Sequence, residues 1–357
     1  MIDDFLQDRK VIVLLGSGGV GKTTSSIALA MRAAVQGKRV GLLSIDPAKR
    51  LANALGIELG NELREVKFAE GSDGSKIKGS LKAAMLDQQS VFDSMVKKHA
   101  PSKKISEKIL NHPVYIAAST NLAGPLEYMA LAKLRDLAVD PQFDLVVLDT
   151  PPDTHALDFL SKPNILAGFF ENKVMTWMLK PFSLANKLGL GKLMNAGEKM
   201  MGSIAKVAGV SALRSLADFL VLTQEVIEGF NSAGEEIVGI LKDDKTSFIL
   251  VTVPTAPALR SSKNLQLLLS KMNYSCDAVI FNRCQFGGSE NLTDIPDDKD
   301  VAMEIFRKRI LNESIIIKKL KETLVENKQN PPLIITVEEQ VDSINTSESL
   351  LRFAKSF

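Results

Sequence analysis

One run, Gly16-Ser17-Gly18-Gly19-Val20-Gly21-Lys22-Thr23-Thr24, fixes more of this chain than any other. It follows the apolar stretch Val11 to Leu15 and leads into a helix-like segment, Ser25 to Gln36. A strand that ends in glycines and turns into a helix leaves a row of backbone N–H groups free to surround phosphate oxygens. The positive end of the helix adds to that attraction. In such a loop Gly18, Gly19, Val20, Gly21 and Thr24 line the phosphates, Lys22 reaches the β- and γ-phosphates, and Thr23 ligates Mg²⁺. A strand, a phosphate loop and a helix in that order commit the chain to an α/β layer architecture.

The rest of the sequence agrees with a large, ordinary α/β protein. Its 357 residues are 45% hydrophobic and 24% charged, enough to bury a sizeable core. Lys plus Arg total 44 against 42 Asp plus Glu, so no net field calls for nucleic acid or an anionic membrane. No unbroken apolar run reaches the 18 residues of a transmembrane segment, and Met1 to Lys10 carries three aspartates where a signal peptide would be apolar. A cytoplasmic location is the expectation. Two cysteines, Cys276 and Cys284, and three dispersed histidines match no zinc spacing.

Strand-like runs recur at Val11 to Leu15, Arg39 to Ile45, Leu145 to Leu148, Phe248 to Val253, Ala278 to Phe281 and Leu333 to Val337. Most are separated by segments of helical period, which predicts a doubly wound, mainly parallel sheet. Gly71 to Ser75 reads as a loop and Ser80 to Lys98 as an amphipathic helix. From about Pro163 to Asp244 strand signals vanish. The expected organisation is therefore a nucleotide-binding domain over residues 1–162 and 245–357, interrupted by an all-helical insertion over 163–244. Leu213, Leu216, Leu220, Thr223, Ile227 and Phe230 fall on one helical face. Five of the twelve methionines, Met175, Met178, Met194, Met200 and Met201, lie in the insertion. Those apolar residues fill the insertion's own core or, since unbranched Met adapts to varied partners, line a groove; both readings stand. Glu304 to Lys328 reads as a charged amphipathic helix, and a last strand and helix close the chain at Leu333 to Phe357.

Three further strand ends carry chemistry. Asp149 ends the run Leu145 to Leu148, where an acid beside a phosphate loop holds Mg²⁺ directly or through a water. Asp46 ends the second strand, placed to position an attacking water, with Lys49 and Arg50 close behind. Asn282 and Arg283 end the strand Ala278 to Phe281, and an asparagine there can pair with adenine.

These motifs together resemble the ArsA-type ATPases, which include arsenite-pump ATPases and the ATPase that delivers tail-anchored membrane proteins. The resemblance covers nearly the whole chain and rests on GSGGVGKTT, IDPAKRLANALG, LDTPPDTHALDFL, the helical stretch after it, and FNR. It implies ATP and Mg²⁺ as ligands, Asp46 orienting the hydrolytic water, Asp149 acting with Mg²⁺, and Asn282 contacting adenine. It also implies nucleotide-controlled dimers, as a homodimer or with a paralogue, whose helical insertions join into a surface for a hydrophobic protein or lipid client. Three departures qualify that picture. Ser17 stands where the family loop KGGVGKT begins with a Lys that crosses to the partner's phosphates. Thr255 replaces a glutamate that many members carry near the base. The family's zinc and arsenite cysteines are missing, and a soft metalloid needs thiolates.

Overall fold

The computed structural model describes residues 2–45, 49–67, 78–86, 88–116, 125–151, 210–285, 301–325, 331–340, 344 and 346–357. Its residues gather into two compact units. The first holds Met1–Asp87, Lys133–Ser161 and Ile240–Phe357, and the second holds Gln88–Ala132 and Lys162–Gly239.

The first unit is built on one eight-stranded sheet of β1 (Val11–Leu15), β2 (Arg39–Ser44), β3 (Arg64–Glu65), β4 (Ser80–Met85), β5 (Leu145–Asp149), β6 (Thr246–Thr252), β7 (Cys276–Cys284) and β8 (Leu333–Glu338). Their order across the sheet is β3-β4-β2-β5-β1-β6-β7-β8. Every neighbouring pair is parallel except β3 and β4. All five residues of β1 and of β5 and all seven of β6 are buried, as strands covered on both faces must be. All six strands read from the sequence are present, and the doubly wound α/β architecture stands as expected.

Helices α1 (Ile2–Gln7), α2 (Lys22–Val35), α3 (Arg50–Leu55), α4 (Gln88–His99), α5 (Lys103–Leu110), α6 (Pro125–Val139), α7 (Val210–Lys242), α8 (Ala256–Lys271), α9 (Val301–Val325) and α10 (Ser347–Lys355) complete the described elements. The core gathers α2 residues Ile27, Leu29 and Met31 with Ile12, Leu14, Leu42 and Val147 of the sheet and Leu350 and Phe353 of α10. Two cations pin the outer helices to it. Arg32 of α2 donates to the carboxylate of Asp3 and, at 3.1 Å, to the carbonyl of Ala354. The buried ammonium of Lys38 donates to the carbonyls of Leu6, Gln7 and Arg9 at 2.6, 2.7 and 3.2 Å, meeting the negative end of α1.

One element differs from the sequence reading. Ser80 to Lys98 is not a single helix: Ser80–Met85 is strand β4, paired in parallel with β2 from Arg39↔Ser80 to Ser44↔Met85, and the helix starts only at Gln88. Leu81, Ala83 and Ala84 are buried there, and two alanines give a helix-like composition to what tertiary pairing makes a strand. Within the second unit, α7 buries Phe219, Leu220, Thr223 and Val226, and the ring of His112 stacks against Phe219 at 5.1 Å. Residues 163–209, with the five methionines of the expected insertion, lie outside the described residues.

Candidate nucleotide site

The loop over residues 16–21 leaves β1 at the carboxyl ends of the parallel strands, the side where α/β sheets bind ligands. Gly21 is the residue before α2 and takes φ 95°, ψ 27°, a left-handed conformation that favours glycine. Its Cα also lies so close to Asn282 that a Cβ would stand 2.1 Å from that side chain's nitrogen. The Lys22 ammonium, although its residue is only 6% exposed, is not lost in the core. It folds back along the loop and donates to the carbonyls of Gly16 at 2.8 Å and Ser17 at 3.0 Å. Gly18 and Gly19 are exposed, Thr23 and Thr24 are half-buried, and Val20 is buried.

Asp149 ends β5 fully buried, beside the first turn of α2. Its Oδ2 accepts from the Thr23 hydroxyl at 2.8 Å and from the Ser44 hydroxyl at 3.0 Å, and its Oδ1 accepts from Ser26 at 3.3 Å. Burial pushes its carboxyl up to about 6, while the hydroxyls of Thr23, Ser44 and Ser26 and the charge of Lys22 pull the other way. The surrounding donors are all oxygen, the set a hard ion such as Mg²⁺ takes. Ser26 and Ser44 were not singled out by the sequence reading. Ser26 lies three residues after Thr23, on the same helix face, and Ser44 ends the strand that leads to Asp46. Thr150 is a third such residue, its hydroxyl donating to the Leu14 carbonyl at 2.6 Å and tying the exit of β5 to β1.

Asn282 is buried near the end of β7, and its Nδ2 donates to the Val20 carbonyl at 2.9 Å. The pairing of β7 with β8 slips between Phe281 and Cys284, and Arg283 there has φ 57° and an exposed side chain. Arg283 lines a cavity of about 490 Å³ with Val253, Thr255, Arg309, Glu313 and Glu339. One wall of it is fixed by Glu313, which accepts from the Gln285 backbone at 2.8 Å and pairs with Arg309 at 3.5 Å. The structure thus brings Lys22, Thr23, Asp149 and Asn282 around one loop. Asp46, the water-positioning candidate, and the residues from Pro152 to His155 lie outside the described residues. Lys49 and Arg50 are exposed at the start of α3.

Comparison with known proteins gives the family. Residues 9–327 match the model of the anion-transporting ATPases. An ATPase ASNA1 homolog of Paramecium tetraurelia is 25% identical over 282 residues, 78% of this chain and 76% of that protein. The ATPase GET3 of Malassezia globosa is 27% identical over 268 residues, 75% of this chain and 70% of that one. An arsenical pump-driving ATPase of Acidiphilium multivorum is 31% identical over 157 residues, 44% of this chain and 26% of its own length. A phosphate-type loop, a buried acid at its foot and a family match through most of its length lead to one conclusion: the chain belongs to the anion-transporting ATPase family and is an ATP-hydrolysing enzyme.

Proposed function

We propose that the protein is an Mg-ATP hydrolase whose nucleotide state sets the pairing of two protomers and, through it, the exposure of a hydrophobic client surface on the helical region around residues 163–244. The observation that carries the nucleotide part is the contact of the Thr23 hydroxyl with the buried Asp149 carboxylate beneath the loop. In this reading Gly18, Gly19, Val20, Gly21 and Thr24 receive the phosphates. Lys22 leaves its own loop carbonyls to hold the β- and γ-phosphates, Thr23 and Asp149 hold Mg²⁺, and Asn282 and Arg283 face the nucleoside. Bound Mg²⁺ supplies charge neutralisation on the phosphoryl oxygens. Asp46 orients the water that attacks the γ-phosphorus, the bond to the bridging oxygen breaks, and the positive groups steady the leaving diphosphate. Among the described residues no helix is long and apolar enough to cross a membrane.

Calorimetric titration tests the site. Lys22→Ala is expected to weaken ATP by at least about tenfold, because the phosphates lose their main point charge. Asp46→Asn is expected to keep ATP affinity and slow turnover at least about tenfold, since a positioning group acts mainly in the transition state. Wild-type affinity in the first variant, or wild-type turnover in the second, overturns the corresponding assignment. Ser17 favours a second reading, in which this chain alone turns over ATP poorly and completes its site by pairing with a paralogue that carries Lys at that position.

A further inference from the structure

Asn282 touches the phosphate loop itself. Its Nδ2 donates to the carbonyl of Val20 at 2.9 Å, and the same nitrogen occupies the space that a Cβ on Gly21 would need. Both groups belong to one peptide unit, because the Val20 carbonyl and the Gly21 N–H share a plane and point in opposite directions. Holding the carbonyl toward β7 therefore fixes the Gly21 N–H on the opposite side of that unit. Without such a hold this peptide can turn over on its glycine side, since glycine tolerates both signs of φ. A turned peptide would present a carbonyl oxygen, not a donor, on the side where the N–H had been. The hold is rigid at its other end as well. Asn282 is 5% exposed, and the slip in β7–β8 pairing with Arg283 at φ 57° is a bulge of the kind that re-aims a side chain out of strand alternation.

We infer that Asn282 is a positioning residue for the phosphate loop, acting on the triphosphate through the Val20–Gly21 peptide whatever base the nucleotide carries. The inference rests on the reading of residues 16–24 as the phosphate site. It separates from a base-contact role with one ligand, inorganic tripolyphosphate, which has the phosphates and no base.

Tripolyphosphate and ATP, each with Mg²⁺, are titrated calorimetrically into the full chain and into Asn282→Ala, Asn282→Asp and Lys22→Ala, with Tm recorded for each. Asn282→Ala is expected to weaken tripolyphosphate by about tenfold and ATP by at least as much, any excess for ATP measuring a contact with the base. Asn282→Asp keeps the volume but sets an oxygen against the Val20 carbonyl, so it should lose at least as much for both ligands, and it serves should the alanine variant fail to fold. Loss confined to ATP, or no loss for either ligand, overturns the inference while the phosphate site stands. If Lys22→Ala leaves tripolyphosphate binding unchanged, the reading of the loop falls instead, and the inference with it.

Discussion

Asp149 carries a pH signature that can be measured without nucleotide or metal. Burial raises its carboxyl from 3.8 to about 6, so the fold favours the protonated form. Its contribution to stability is fully present below about pH 4 and is lost as pH rises through about 6. Asp149→Asn cannot ionise and avoids that loss. Chemical denaturation of the metal-free proteins should show the variant more stable at pH 7.5, by up to about 3 kcal/mol for a shift of roughly two units. The gap should close near pH 4, and a gap independent of pH would mean that Asp149 is not the group responsible. Lys22, Thr23 and Asp149 were readable in the sequence because the loop motif and the end of an apolar run dictate their positions. Ser26 and Ser44 were not, because a serine in a helix or at a strand end has no pattern of its own. Only the approach of β2 and α2 to β5 makes donors of them.

Strand β4 shows how an element can be misread while its neighbours are read correctly. The central strands announce themselves by unbroken Val, Ile and Leu, whereas Ser80–Met85 offers one leucine, two alanines and a lysine. What makes it a strand is the surface of β2, reached through a close approach at Gly79. A Cβ there would stand 2.0 Å from the carbonyl oxygen of Lys38, a backbone atom that cannot swing away. That carbonyl is also the acceptor for the Ser80 N–H at 3.1 Å, the first link between the two segments. Gly79→Ala should therefore lower unfolding free energy by about 2 kcal/mol or more in urea titration, within the range of severe single substitutions. A change under about 0.5 kcal/mol would show that the approach relaxes at little cost. Helix α9 illustrates the opposite case, since its strong charge and helical period made it readable from Glu304 onward.

For the whole molecule, Ser17 makes the choice of partner a matter of experiment. If two protomers close around ATP, a Lys reaching across supplies charge at the transferring phosphoryl group, and such a trans cation accelerates phosphoryl transfer by orders of magnitude. The rate of the purified chain should then rise at least about tenfold with a Lys-bearing paralogue or in Ser17→Lys. Full activity alone, unchanged by either, would remove the heterodimer reading. Gln88–Ala132 shares a compact unit with the described residues 210–239, a grouping that no local composition announces. One edge of the sheet has a consequence for handling the protein. β3 is two residues long, runs against the direction of its neighbour, and offers the outside an exposed arginine and an exposed glutamate. So short and charged a margin gives an incoming strand almost nothing to pair with, which makes this side of the protein a poor seed for aggregation even in a concentrated solution.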